Sequence, residues 1–166
     1  LAVQELGLNV QNAFSRVYLP DNSDSVKRKP ISFNGRKAIQ AECESIDDDM
    51  RWLVALISDT GMRLSEAAGL LKTDLVLDGD VPYVFIKPHS WRPLKTVSSQ
   101  RKVPLVGASY WAACRITECT SSEFCFPRYA SKTKLKSNSA SAALNKWIKT
   151  IAGKDAVIHG FRHSVR

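Results

Sequence analysis

Residues 47–61 constrain the fold most, because they predict a helix that is apolar on two sides. One side follows the i, i+3, i+4, i+7 spacing of a helix face and consists of Met50, Leu53, Val54 and Ile57. Trp52 and Leu56 add a second apolar side, so other elements must pack around this helix. Three aspartates at 47–49 suit the positive amino-terminal end of a helix, and Gly61 provides a stop.

The pattern changes in the middle of the chain from helical spacing to short β-rich runs. Residues 75–77 and 83–87 flank the turn signal Asp78-Gly79-Asp80. Residues 102–106 are predicted as a third strand, and Pro104 favours an edge position for it. Five further helices are predicted. The first two run from Ser32 to about Cys43 and onward from a cap at Ser65, and the others cover 109–118, Ser137 or Asn138 to Gly153, and the chain from near His159 onward. Residues 128–138 are predicted as a basic loop. The pattern is typical of an α+β domain, mostly α, with one small antiparallel sheet.

The amino-terminal part has the composition of a domain boundary. Residues 1–19 resemble the helical end of a preceding domain, and 20–30, P-D-N-S-D-S-V-K-R-K-P, are polar, charged and bounded by prolines. That composition predicts a linker, with a main domain over 31–166. No run of about 18 apolar residues occurs, so no membrane span is expected.

Positive charge is concentrated in the second half of the chain. The net charge is +8, yet residues 1–83 hold 9 basic and 13 acidic groups, whereas 84–166 hold 15 basic and 3 acidic groups. Such a distribution is the footprint of a face that binds a polyanion, although a solubilising surface would have the same composition. The four cysteines form no C-x-x-C pair, and we predict neither a metal nor a disulfide.

Four scattered residues carry side chains suited to phosphodiester chemistry: Arg63, Lys95, His159 and Arg162. An arginine donates two parallel hydrogen bonds to phosphate oxygens and stays charged at any working pH. A lysine whose pKa is lowered by neighbouring cations supplies a proton to a leaving oxygen, and a histidine exchanges protons near neutral pH. Together these groups can hold a phosphodiester and move its protons.

Three ordered motifs surround these residues. They are T-G-M-R-L-S-E-A at 60–67, L-K-T at 94–96 followed by Q-R-K-V-P-L at 100–105, and H-G-F-R-H at 159–163. They resemble the motifs of the tyrosine recombinases, or phage integrase family, and the wording of 52–67 looks closest to bacterial phage- or genomic-island-type integrases. The resemblance implies a helical catalytic domain with a small three-stranded antiparallel sheet over 31–166. It also implies that 1–19 are the tail of a core-binding domain.

The resemblance implies site-specific DNA strand exchange, in which a tyrosine forms a 3′-phosphotyrosyl link and releases a 5′-hydroxyl. Arg63 and Arg162 would hold the phosphate oxygens, Lys95 would protonate the leaving oxygen, and His159 would assist proton transfer on the nucleophile side. Glu66 would support the site by orienting this region or capping backbone groups. His163 would be mainly structural. No cofactor or metal is implied.

Double-stranded DNA is the partner that the resemblance implies. Several basic residues are candidates for phosphate contacts: Lys87, His89, Arg92, Arg101, Lys102, Lys132, Lys134 and Lys136. Such contacts set affinity and salt dependence rather than sequence choice. The complete protein is expected to act as a DNA-bound tetramer in the bacterial cytoplasm, associated with the nucleoid, and the present chain as a monomer.

The nucleophilic tyrosine of the family follows H-x-x-R, and only Ser164, Val165 and Arg166 follow that motif here. Every tyrosine of the chain precedes the motif: Tyr18, Tyr83, Tyr110 and Tyr129. We therefore expect a catalytic domain truncated at its carboxyl end, unable to cleave DNA alone. Three alternatives stay open: a type IB-like topoisomerase, a non-catalytic DNA-binding or regulatory protein on the same fold, and an unrelated basic helical protein.

Overall fold

The computed structural model describes residues 29–164, so the predictions for 1–19 and for nearly all of the linker lie outside the described residues. The helices are α1 (Phe33–Ile46), α2 (Asp49–Thr60), α3 (Leu64–Ala68), α4 (Gly107–Cys119), α5 (Ser137–Ala152) and α6 (Gly160–Ser164). The strands are β1 (Leu75–Val76), β2 (Tyr83–Ile86) and β3 (Arg101–Pro104), and short 3₁₀ turns lie at Lys72–Asp74 and Val97–Ser99. The predicted class, mostly helical with a small antiparallel sheet of three strands, is confirmed.

Helix α2 is the centre of the domain, as its two apolar sides predict. The side chain of Asp48 caps it by accepting a hydrogen bond from the Arg51 backbone N–H at 2.9 Å. Gly61 ends it in the left-handed conformation, at φ 59°. Residues 52–58 are all buried, and α2 packs most extensively against α4 and next against α1. A helix enclosed on two sides gives the residues at its carboxyl end a fixed position.

The sheet has the order β1–β2–β3, and both pairs are antiparallel. Strand β3 is therefore an edge strand, as Pro104 predicts, because proline lacks the N–H that a further neighbour would need. It begins one residue before the predicted range and ends at Pro104 rather than at 106. The register places Arg101 opposite Ile86, so the loop between these strands leaves and re-enters the sheet at one end.

Predicted helix boundaries differ from the structure at three helices, and α4 begins two residues before and ends one residue after the predicted 109–118. Helix α3 begins at Leu64, with Arg63 rather than Ser65 at the cap position. Glu66 stands at the third helical position and its carboxylate accepts the Arg63 backbone N–H at 3.0 Å, which is the reciprocal half of a capping box and places the cap at Arg63. Helix α1 does start after Ser32, whose hydroxyl accepts from the Gly35 N–H at 3.1 Å. It continues three residues beyond Cys43.

None of the helices in residues 29–164 combines the length and the apolar character that crossing a bilayer requires.

Candidate active site

Arg63 stands at the junction of α2 and α3, two residues after the glycine that ends α2. Its guanidinium donates from Nη1 to Glu66 Oε1 at 2.8 Å, and its backbone N–H donates to Glu66 Oε2 at 3.0 Å. The side chain is 31% exposed, whereas that of Glu66 is 4% exposed. Glu66 thus fixes both the backbone and the guanidinium of Arg63 and leaves part of the side chain open to solvent.

Glu66 also binds a second guanidinium, that of Arg101 on β3. Arg101 Nη2 donates to Glu66 Oε2 at 3.0 Å, and Arg101 Nη1 donates to the Ser99 carbonyl at 2.8 Å. Burial by itself raises the pKa of Glu66, but the hydrogen bonds from Arg101 and Arg63 outweigh burial, and the net pKa is lowered. Two guanidiniums around one carboxylate leave an excess positive charge at a partly exposed place, which suits an anion.

Arg162 reaches the same junction from α6. Its Nη1 donates to the Gly61 carbonyl at 2.9 Å, although the two residues are 101 positions apart. Helix α6 packs on α2, and Gly160 permits a close approach: a Cβ there would lie 3.0 Å from Ile31 Cγ1 and 3.2 Å from the Lys29 carbonyl. The glycine of H-G-F-R-H thus lets α6 lie close against residues 29–31, while the hydrogen bond to Gly61 places Arg162 two residues from Arg63 in the chain.

His159 occupies the turn that leads into α6 and is half-buried. Its carbonyl accepts a hydrogen bond from the Arg162 backbone N–H at 3.2 Å, so the two residues belong to one turn of chain. The rings of His159 and His163 meet edge to face, with centroids 5.2 Å apart. His163 is exposed, whereas Phe161 between them is buried and anchors α6 in the core.

Lys95 lies in the loop between β2 and β3, and its side chain is exposed. The residue after it, Thr96, makes a 2.9 Å hydrogen bond between its Oγ1 and Ser99 Oγ. Arg63 Nη1 in turn lies 3.4 Å from Ser99 Oγ. The loop that carries Lys95 is therefore linked to Arg63 through two hydroxyl groups.

The carboxyl end of α2 is thus the place where Arg63, Arg162 and the Lys95 loop meet. His159 lies in the turn that leads into α6, the helix that carries Arg162. The sequence profile of the phage integrase family matches residues 32–166. The chain belongs to the phage integrase family. No curated protein matches the chain significantly.

Solved recombinase structures share the integrase fold of this chain. One is the integrase of transposon Tn1549 in complex with a circular intermediate DNA, which is 16% identical with a TM-score of 0.64 over 86% of this chain and 53% of that one. Another is XerA recombinase, which is 19% identical with a TM-score of 0.57 over 82% of this chain and 48% of that one. At such identities the likeness shows the fold alone, and the chain spans about half the length of these two solved chains.

One basic residue predicted to contact DNA is not on the surface of this integrase domain. The side chain of Arg92 is 1% exposed, and its Nη2 lies 3.8 Å from Asp74 Oδ2. The prediction that Arg92 contacts phosphates is therefore wrong, because the sequence reveals its charge but not the buried carboxylate beside it. Lys87 and His89 also pair with Asp74, at 3.1 and 2.7 Å.

The other predicted contacts remain accessible to different degrees. Lys102, Lys134 and Lys136 are exposed. Lys132 is 71% exposed while it pairs with Glu123 at 3.0 Å, and Arg101 is 30% exposed beside Glu66. Among residues 29–164, no group of three His, Cys, Asp or Glu side chains is arranged to hold a metal ion.

The motifs do not indicate two polar residues of this region. Ser99 connects the Lys95 loop to Arg63, and Asp74 gathers three basic side chains. Their partners are distant in sequence, so neither periodicity nor local spacing identifies them. The sequence offers one sign for Asp74. It is the single acidic residue between α3 and the turn signal Asp78-Gly79-Asp80.

Proposed function

We propose that this chain is the phosphate-binding catalytic domain, residues 31–166, of an enzyme that cleaves and rejoins DNA at specific sites. Family and fold suggest site-specific DNA recombination. The observation that carries the proposal is that Arg63 and Arg162 meet at one helix junction. Arg162 donates a hydrogen bond to the carbonyl of Gly61, which lies two residues before Arg63. Residues 1–19 would be the tail of a core-binding domain and 20–30 the linker, and the active form would be a DNA-bound tetramer.

The two arginines would stabilise the transition state. In phosphodiester exchange, extra negative charge develops on the two non-bridging oxygens of a pentacoordinate phosphorus. Guanidiniums held in advance match this charge without reorganisation, and one such donor is worth about 3–4 kcal/mol. Glu66 holds Arg63 by its side chain and its backbone, which supports the required preorganisation.

Lys95 and His159 would move the protons. A tyrosine hydroxyl oxygen attacks phosphorus, the bond from phosphorus to the 5′-oxygen breaks, and a phosphotyrosyl link forms. The phenolic proton leaves on the His159 side, and the Lys95 ammonium gives a proton to the 5′-oxygen, which departs as a hydroxyl. In rejoining, a 5′-hydroxyl attacks the phosphotyrosyl link and the protons return, so the link conserves the bond energy.

The attacking tyrosine would follow H-x-x-R, as it does in the family. The structure describes three tyrosines, and all precede H-x-x-R: Tyr129 is buried, Tyr83 lies on β2 with its ring centroid 4.6 Å from the Lys102 ammonium, and Tyr110 is exposed on α4. We therefore expect residues 1–166 alone to bind DNA without cleaving it. Sustained cleavage by this chain that depends on Arg63 would contradict the assignment.

Covalent trapping tests the proposal. The protein extended past Arg166 to the downstream tyrosine is mixed with nicked DNA that carries the end of its host element, and an SDS-resistant protein–DNA band is expected. The band should vanish in Arg63→Ala and in the downstream Tyr→Phe variant. Confirmed binding without a band would favour a non-catalytic relative. Relaxation of supercoils without site preference would favour a type IB-like topoisomerase.

Exposed lysines should govern the salt dependence of DNA binding. Lys134 and Lys136 lie in the basic half of the chain, so Lys134→Ala is expected to reduce the slope of log K against log salt by about 0.9, the value for one phosphate contact. Lys37→Ala is the matched control, because Lys37 is also exposed but lies on α1 in the acidic half. Titration of double-stranded DNA at several salt concentrations measures both slopes. Equal slopes in the two variants would exclude Lys134 from the interface.

A further inference from the structure

Asp74 is a fully buried carboxylate that gathers basic groups from one short segment. It closes the 3₁₀ turn after α3, and its side chain is 0% exposed. Its Oδ1 lies 3.1 Å from Lys87 Nζ, and its Oδ2 lies 2.7 Å from His89 Nε2 and 3.8 Å from Arg92 Nη2. Its Oδ2 also accepts the Leu71 backbone N–H at 3.0 Å. One carboxylate thus binds the segment 87–92 to the end of α3.

The segment 89–92 forms a closed turn. His89 and Arg92 exchange backbone hydrogen bonds of 3.1 and 3.0 Å. The indole N–H of Trp91 donates to the Gly69 carbonyl at 3.1 Å, and the Trp91 ring stacks on His89 with centroids 4.7 Å apart. These contacts fasten the turn to the same 69–74 segment that carries Asp74.

Arg92 is buried with its side chain over Gly69, and Asp74 is the carboxylate with which it forms an ion pair, at 3.8 Å. A Cβ at residue 69 would lie 2.6 Å from Arg92 Cδ, so the glycine makes room for the arginine. Burial lowers the pKa of Arg92, and the charge of Asp74 opposes that effect. A buried guanidinium without its counter-charge is strongly destabilising. Removing the negative charge of Asp74 is therefore expected to displace the turn.

Lys95 follows this turn by three residues and stands between two fixed points. On its amino side is the turn 89–92, which Asp74 holds through His89 at 2.7 Å and through the ion pair with Arg92 at 3.8 Å. On its carboxyl side Thr96 is bound to Ser99, which contacts Arg63. We infer that Asp74 is a positioning residue that places Lys95 at the scissile phosphate. The inference rests on the proposed role of Lys95 as proton donor to the leaving oxygen.

The need of the leaving group for a proton provides a test that separates positioning from general loss of structure. The extended protein is given nicked DNA with either oxygen or sulfur at the bridging 5′ position of the scissile phosphate. A thiolate leaves without being protonated, so the sulfur substrate bypasses a general acid. Asp74→Asn is expected to cleave the oxygen substrate about 100-fold more slowly, as for a misplaced catalytic group. Its rate on the sulfur substrate should stay close to that of the parent protein.

Two controls separate this inference from the proposed function. Lys95→Ala should show the same loss and the same rescue, whereas Arg63→Ala should stay slow on both substrates because sulfur does not replace its hydrogen bonds. Full activity of Arg63→Ala would overturn the proposed function itself. If the controls behave as expected, equal loss on both substrates in Asp74→Asn, or no loss on either, would overturn the positioning role.

A pair of His89 variants carries the test if Asp74→Asn does not fold. His89→Gln keeps an N–H that can donate to Asp74, whereas His89→Phe keeps an aromatic ring against Trp91 and loses the donor. Thermal melts first establish that both variants are folded. His89→Phe should then cleave the oxygen substrate slowly and the sulfur substrate at close to the parent rate, whereas His89→Gln should resemble the parent protein on both. Identical behaviour of the two variants would overturn the inference.

Discussion

Alanine at Arg63 is expected to lower the rate of covalent adduct formation by about 100- to 1,000-fold, the usual effect of removing one preorganised donor. The reason is geometric. Glu66 binds Arg63 through Nη1 and the backbone N–H, so the guanidinium is held before DNA arrives. Single-turnover trapping on nicked DNA measures the rate, and a parallel binding titration should change little, because one phosphate contact is a small part of a DNA interface.

Arg128→Ala is the matched control for Arg63→Ala. Arg128 also pairs with a carboxylate, with Nε 2.7 Å from Asp49 Oδ2, but its side chain is 57% exposed and Asp49 lies at the amino end of α2, away from the proposed site. Its loss should leave the trapping rate almost unchanged. Arg63→Lys adds a second comparison, since lysine keeps the charge and loses the planar fork. Similar rates for Arg63→Ala and Arg128→Ala would remove Arg63 from the reaction.

Local patterns in the sequence predict the helices well. Helix α2 has its apolar spacing, its aspartate cap and its terminal glycine within 15 consecutive residues, so nothing distant is needed to specify it. The Ser65 cap fails for an equally local reason. Glu66 accepts the Arg63 backbone N–H from the third helical position, so the helix begins two residues earlier than a cap at Ser65 would allow.

The structure brings the three predicted segments together, whereas the contacts between them are not encoded in the motifs. Three motifs indicate Arg63, Lys95 and Arg162, but the pairing of Arg101 with Glu66 joins residues 35 positions apart. No periodicity encodes such a pairing. Arg92 shows a related limit. The sequence identifies a basic residue but does not show whether its side chain faces solvent or, as here, lies 1% exposed beside a carboxylate.

Two buried carboxylates eight residues apart organise the basic groups of the site. Glu66 holds Arg63 and Arg101, and Asp74 holds the turn that precedes Lys95. Both belong to the short stretch that follows the core helix α2. The core therefore fixes two acids, and the acids fix the cations that would meet DNA.

Glu66→Gln is expected to destabilise the domain by about 3–5 kcal/mol, the usual cost of removing one partner of a buried ion pair. The side chain is 4% exposed and serves two guanidiniums, and glutamine offers them only one neutral acceptor oxygen. Urea unfolding followed by tryptophan fluorescence at neutral pH measures the loss. Glu118→Gln is the matched control, since Glu118 also pairs with an arginine but is 63% exposed, and its loss should have little effect.

The pH dependence provides a second readout of the same variant. The pKa of Glu66 in the folded domain is lowered, with burial opposed by the stronger hydrogen bonds from Arg101 and Arg63. The carboxylate therefore contributes stability above the unfolded pKa of about 4.3, and this contribution is lost as the pH falls through the lower folded pKa. Since glutamine does not titrate, the stability gap between parent and variant should narrow below about pH 4.3. A gap that stays constant through this range would mean that the charge of Glu66 is not what holds the two arginines.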